Sequence, residues 1–171
     1  MKMEYSIRKM ESSDWSAVSA IYKEGIDTHV ATFQQTVPAY EEFDSGHLGL
    51  CRLVAVVNQD VVGWVALSPI SSRAAYKGVA EVSVYIASKV RSQGIGKSLL
   101  TIVADEAFKQ GLWTLQSSII SNNKASVVLH EHCGFRVVGY REKIAKDHEG
   151  NWLDTTLMEK RKVERESCSE Q

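Results

Sequence analysis

The sequence predicts one α/β domain, a central sheet flanked by helices, and three observations carry that expectation. Stretches of period-two alternation, such as Val79–Ile86, are interleaved with stretches whose apolar residues recur every three to four positions, such as Ile95, Leu99, Ile102 and Val103. No internal repeat and no Pro/Gly-rich linker interrupts the chain. Its 171 residues, 44% apolar with a formal net charge of −1, suffice to bury a single core.

Residues 5–8 read as a short strand. Ser13 is placed to cap a helix that puts Trp15, Val18, Ile21 and Tyr22 on one face and runs to Gly25. Residues 27–49 are polar, irregular and partly helical, and a connection of that length more often carries function than decoration. A turn at 58–60 joins strands over 52–57 and 61–67 into a hairpin, and a loop over 68–78 leads to the next strand. In that strand Glu81, Ser83 and Tyr85 share one face and Val82, Val84 and Ile86 the other. Gly94 and Gly96 open a helix that ends near Gly111. A strand over 112–119 precedes a helix capped by Ser121 or Asn122, with an apolar stripe at Val127, Val128 and Leu129 and Gly134 as its left-handed terminator. Strands over 135–143 and 152–160 follow, joined by a turn at 147–150. The charged, serine-rich segment 163–171 is expected to be a disordered tail, which leaves 1–162 as the domain. Trp15, Trp64 and Trp113 fall in apolar patterns and are assigned to the core.

Composition excludes several function classes. A non-specific nucleic-acid binder would be more basic. No apolar run approaches the length of a membrane span and the first residues lead straight into a strand pattern, so a cytoplasmic protein is expected, with neither nucleic acid nor membrane as partner. Cys51, Cys133 and Cys168 lack C-x-x-C spacing and suit free thiols in a reducing compartment. His130, His132 and Cys133 are metal-like in composition, but positions two apart on a helix do not share a face and no second pair of ligands completes a set; no metal is expected. Ser83 has no plausible His and Asp partners for a hydrolytic triad, and Cys133 reads as a small buried hydrophobe.

Most of the functional signal lies between Glu81 and Leu100. Glycines at a helix start bare the first backbone N–H groups, and with the helix dipole and a nearby Arg91 and Lys97 they make a site for phosphate or pyrophosphate. The turn is not a P-loop, because Arg91 stands where G-x-x-x-x-G-K-S needs its first glycine. A dinucleotide-binding G-x-G-x-x-G fails as well, since Leu99 occupies the third glycine position. What fits is R-x-x-G-x-G, from Arg91 to Gly96, between a strand and a helix. A second segment, Asn123, Ser126, Leu129, His130, Gly134 and Phe135, has the spacing N-x-x-[AS]-x-x-L-[YH]-x-x-x-G-F. Together these resemble the GNAT superfamily of N-acetyltransferases. Ile21-Tyr22, Ala31-Thr32-Phe33, Arg73 to Tyr76, Glu81 to Ile86 and Trp152 to Asp154 resemble its phosphinothricin and methionine sulfoximine acetyltransferase branch.

That resemblance implies the GNAT fold, with a mixed, mostly antiparallel sheet, and acetyl-CoA as co-substrate. It implies that backbone N–H groups of Arg91, Ser92, Gln93, Gly94, Ile95, Gly96, Lys97 and Ser98 hold the pyrophosphate. The pantetheine arm is expected along Val84, Tyr85 and Ile86, where a β-bulge would leave backbone groups unpaired. The Val84 N–H is the expected donor to the thioester carbonyl, a role worth about 3 kcal/mol of barrier. Asn123 and Ser126 match positions that hydrogen-bond the cofactor. Glu81 is the candidate base for the attacking amine, directly or through a water, because each pH unit between an amine's pKa and the medium costs about 1.4 kcal/mol. His130, where many relatives have Tyr, is the candidate acid for the departing thiolate.

For the acceptor, the resemblance points to Phe33 as an apolar wall, Arg73 as a carboxylate clamp, Lys77 as added charge and Tyr76 beside them. Gln34 replaces a common Glu and Ala74 a common Pro, which leaves the acceptor's side chain open. The branch acetylates the α-amine of small amino-acid analogues by direct transfer in a ternary complex, and its members tend to be homodimers. The alternatives are acetylation of protein N-termini or a polyamine, which predicts an open, peptide-sized cleft, and a non-catalytic acetyl-CoA-binding module.

Overall fold

The computed structural model describes residues 3–163, so Cys168 and the tail beyond Val163 lie outside the described residues. In chain order the elements are β1 (Ser6–Lys9), α1 (Trp15–Asp27), α2 (Tyr40–Gly46), β2 (Leu53–Val57), β3 (Asp60–Pro69), β4 (Val79–Ile86), α3 (Ile95–Lys109), β5 (Thr114–Ile120), α4 (Lys124–His132), β6 (Arg136–Lys146) and β7 (Trp152–Arg161). The strands form one sheet in the order β1-β2-β3-β4-β5-β7-β6, antiparallel throughout except between β4 and β5. This is the mixed, mostly antiparallel GNAT sheet that the resemblance implies.

The alternation in β4 sorts the packing. Tyr85 stacks on Trp64 of β3 at 4.8 Å and meets Tyr22 of α1, while Phe43 of α2 closes edge-on against Trp64. Ile86, on the opposite face, lies beside Leu99 of α3 at Gly63 and beside Leu129 of α4 at Gly96. Helices α1 and α2 therefore cover one face of the sheet and α3 and α4 the other. The buried side of α3 is Leu99, Leu100, Val103, Ala104 and Ala107, a stripe at helical spacing. Trp64 is fully buried and Trp15 half-buried against the core, whereas Trp113, assigned to the core from its apolar pattern, is half-buried over Gly78 instead. No helix among the described residues is long and apolar enough to cross a membrane.

Four local expectations are corrected. Ser13 caps nothing: a 3-10 turn over Ser12–Asp14 leads into α1, held by a reciprocal capping box between Glu11 and Asp14. α1 runs through Gly25 to Asp27, because Gly25 is there for close approach: a Cβ would lie 2.5 Å from the Tyr85 ring. α4 is capped by Asn123, whose Oδ1 accepts from the Ser126 N–H at 3.2 Å, and not by Ser121 or Asn122. Its three consecutive apolar residues cannot share a face, so Val128 is exposed and the fully buried position is His130. Gly134 does terminate α4, at φ +84°, with the Phe135 N–H returning to the His130 carbonyl at 3.0 Å.

Candidate active site

Strands β4 and β5 pair only at Val79↔Thr114, Ala80↔Leu115 and Glu81↔Gln116, after which both continue and part. The expected bulge in β4 is absent: its register with β3 runs unshifted from Pro69↔Ala80 to Gly63↔Ile86. The parting of the strands, not a bulge, frees the backbone. The Ala87 N–H donates to the Val62 carbonyl at 2.8 Å, which sets the phase of the β3–β4 ladder. Since bonding groups alternate along an antiparallel pair, the N–H and C=O of Val82, Val84 and Ile86 point toward β5. At Val84 the ladder partner has gone, and its N–H faces the gap.

The gap opens into a cavity of about 490 Å³ that passes through the sheet. On the α1 side it is bounded by Thr32, Phe33, Gln34, Glu81, Ser118 and Thr155, and on the α4 side by Ser117, Asn123, Ser126 and His130. Glu81 is half-buried, and its Oε2 accepts from Gln116 Nε2 at 3.0 Å. It is the one acidic or basic side chain, histidine aside, among the described residues lining this chamber. A second cavity, about 420 Å³, adjoins it and is lined by Val84, Tyr85, Ile86, Arg91, Ser92, Gly94, Ile95, Gly96, Lys97, Asn123, Ser126 and Leu129.

At the head of that trough the first bond inside α3 runs from the Ser98 N–H to the Gly94 carbonyl at 3.1 Å. The N–H groups of Ile95, Gly96 and Lys97 lie ahead of it, and no side chain caps them. Gly94 holds φ +84°, a left-handed conformation that brings the backbone round without a side chain in the way. Exposed Arg91 and Lys97 flank the turn. Three free donors, a helix N-terminus and two cations fit a diphosphate, and the trough running from them to Val84 fits an extended chain.

His130 is buried, with Nδ1 2.7 Å from the Ser126 carbonyl. A carbonyl only accepts, so Nδ1 carries the proton and Nε2 presents a bare lone pair, which has no partner. Burial lowers its pKa, opposed by the backbone bond to Ser126. The helix C-terminus favours a charged ring by about 0.3–1 kcal/mol, while burying a cation costs several, so the ring rests neutral. A resting acid is thus not what the structure places here: His130 must first be protonated before it can give a proton up. Burial likewise pushes the Tyr85 phenol well above its ordinary range.

Glu81, His130, Asn123, Ser126, Phe33 and Val84 to Ile86 thus converge on connected cavities. Gln93 and Ser98 do not line them; the Ser98 hydroxyl pairs with Tyr5 at 2.7 Å. Arg73, Tyr76 and Lys77 are exposed on the loop before β4 and line no cavity described, with the Arg73 guanidinium 5.5 Å over the Tyr76 ring. Sequence reasoning missed Ser117, Ser118 and Thr155. The first two had a weak signal, since two adjacent serines put a polar residue on each face of the strand just before Ile119 and Ile120, whereas Thr155 had none.

Residues 7–157 match the family model described as an acetyltransferase (GNAT) domain. The chain is 31% identical over 163 residues to a phosphinothricin N-acetyltransferase of Alcaligenes faecalis, covering 91% of this chain and 81% of that one. It is 29% identical over 163 residues to an L-methionine sulfoximine/L-methionine sulfone acetyltransferase of Pseudomonas aeruginosa, covering 92% and 94%. Among solved structures, a GNAT superfamily phosphinothricin acetyltransferase from Sinorhizobium meliloti, in complex with AcCoA, superposes with a TM-score of 0.84 at 28% identity, over 93% of this chain and 89% of that one. With a strand-parting passage and a glycine-opened helix in the positions its motifs require, the chain belongs to the GNAT family of acetyltransferases.

Proposed function

We propose that this enzyme transfers an acetyl group from acetyl-CoA to the α-amine of a small amino acid or analogue, with phosphinothricin, methionine sulfoximine and methionine sulfone as the first acceptors to consider. The observation that carries the reading is the passage between β4 and β5, with a carboxylate on one side, a diphosphate-sized helix N-terminus on the other and the Val84 N–H between them. Acetyl-CoA supplies an activated acetyl group when bound. The N–H groups of Ile95, Gly96 and Lys97, with Arg91, would hold its diphosphate. Val84 to Ile86 would guide the arm, and the Val84 N–H would stabilise negative charge on the thioester oxygen. Glu81 would take the amine's proton, directly or through one water. His130 Nε2 would take the second proton, shed by the attacking nitrogen as the tetrahedral adduct forms, and pass it to the leaving sulfur.

The acceptors come from the relatives' activities, and one observation favours testing beyond them. Glu81 suits an ammonium group, but no Lys or Arg lines the chamber among the described residues to meet an acceptor's carboxylate. Arg73 is the designated clamp only if the loop carrying it closes over the mouth. A homodimer is part of the same reading. It is supported by β6, an edge strand with Val137, Val138, Tyr140 and Ile144 exposed.

The test is thiol release from acetyl-CoA against phosphinothricin, methionine sulfoximine, methionine sulfone, the standard amino acids, their carboxamides, spermidine and short peptides. Turnover confined to the free-carboxylate analogues supports the reading and makes Arg73→Ala the next variant. Equal turnover of acids and amides removes Arg73 from the site. Binding of acetyl-CoA without turnover of any amine would falsify the enzymatic reading.

A further inference from the structure

The Phe33–Gln34 wall of the acceptor chamber has a void on both sides. Behind it lies a separate cavity of about 240 Å³, which shares Thr32, Phe33, Gln34 and Ile120 with the chamber and is lined as well by His29 and His148, both exposed at the surface. These two imidazoles stack, centroids 3.8 Å apart and planes 19° from parallel. They come from segments more than a hundred residues apart, the loop leaving α1 and the turn between β6 and β7.

Each ring stands on a fixed base. On the α1 side the His29 N–H bonds the Ile26 carbonyl at 3.0 Å, the Thr28 hydroxyl bonds the Gly25 carbonyl at 2.7 Å, and the Val30 N–H returns to the Thr28 hydroxyl at 3.3 Å. On the turn side Asp147 Oδ1 accepts from the N–H groups of Glu149 and Asn151, both at 2.9 Å, and the Asp147 N–H bonds the Asn151 carbonyl at 2.9 Å. A chain segment with voids on both faces has few packing contacts of its own and opens cheaply. This one is tied inward by Thr32 to the hydroxyls of Tyr22 and Tyr85, and outward by the exposed ring pair to the β6–β7 turn.

We propose that His29 and His148 are positioning residues for the acceptor: their stack holds the 28–35 segment against the β6–β7 turn, so that Phe33 and Gln34 stand as the chamber wall. Neither ring lines the chamber, so the pair acts on acceptor affinity and not on the transfer step. The inference rests on the acetyltransferase reading for its kinetic consequence, but not for its structural one.

The experiment therefore has two arms, on His148→Ala, His29→Ala, the double variant and His148→Phe. In turnover assays each single alanine variant raises the acceptor KM about three- to tenfold, with kcat and the acetyl-CoA KM within about twofold of wild type. The double variant is no worse than either single one, and His148→Phe, which restores a flat ring, recovers most of the loss. In amide hydrogen exchange without substrates, residues 28–35 exchange faster in both single variants. Unchanged exchange, additive losses, parallel rises in both KM values, or faster exchange with an unaltered acceptor KM each overturn the proposal. A wild-type enzyme that turns over no amine sinks the acetyltransferase reading instead, and the exchange arm still decides whether the brace exists.

Discussion

Glu81 receives one hydrogen bond at Oε2, from Gln116, and no donor among the described residues reaches Oε1. A structural ion-pair residue would have a cation beside it; this carboxylate has an amide on one side and the chamber on the other. Glu81→Gln keeps the shape and the neighbour but cannot take a proton. It is expected to lower kcat/KM about a hundredfold at neutral pH while leaving acetyl-CoA affinity unchanged. Because alkaline medium deprotonates the amine itself, the deficit should shrink as pH rises, by up to tenfold per unit. A deficit that stays constant across pH would mean that Glu81 only orients the acceptor. Its placement was legible because period-two alternation is local: it aims the side chain without knowledge of the rest of the fold. The exposure of Arg73, Tyr76 and Lys77 was not legible, since a loop's position over a cavity is set by its two anchoring strands and not by its own residues.

Among the elements, α3 has the most exact local requirement. Its N-cap, Gly94, sits at φ +84°, where an L-residue costs about 1–2 kcal/mol, and an added Cβ would lie 4.0 Å from the Tyr5 hydroxyl, so the cost is conformational and not a clash. Gly94→Ala is expected to lose about 1 kcal/mol of stability in chemical denaturation and to raise the acetyl-CoA KM several-fold more than the acceptor KM. Equal effects on both would detach the α3 N-terminus from the diphosphate role. The glycine was readable from the sequence because it opens an apolar-periodic run. The start of α4 was less so. Ser121, Asn122 and Asn123 are all capping types, and the choice is made by a distant strand: the Ser121 hydroxyl pairs with that of Thr156 at 3.0 Å and its N–H with the Asp154 carbonyl at 2.9 Å, leaving Asn123 to cap. Likewise Gly25 resembles a helix terminator until Tyr85, sixty residues on, is seen to need its missing Cβ.

Across the whole molecule, buried titratable groups set a pH window for stability. His130 and His47 both place Nδ1 2.7 Å from the carbonyl four residues earlier, and burial lowers both pKa values below the ordinary 6.5. Below 6.5 the unfolded chain binds protons that the folded one resists, so their contribution is complete above 6.5 and is lost as pH falls toward the folded values. Buried thiols act in the other direction: Cys51 is pushed up from 9.0 to about 11, and Cys133 is raised as well. Above 9.0 the unfolded chain releases protons that the folded one keeps, and stability declines toward the folded values. Asp14, held below its ordinary 3.8 chiefly by its hydrogen bonds from Arg8, matters only in much stronger acid. Thermal denaturation should therefore show a plateau between about 6.5 and 9.0, with each group contributing at most about 1.4 kcal/mol per pH unit outside it. His130→Met should flatten part of the acid limb and Cys51→Ala part of the alkaline one, each leaving the other limb in place. An acid limb of unchanged slope in variants of both His130 and His47 would transfer it to the carboxylates, and with it would go the reading of His130 as a neutral ring whose Nε2 waits for a proton.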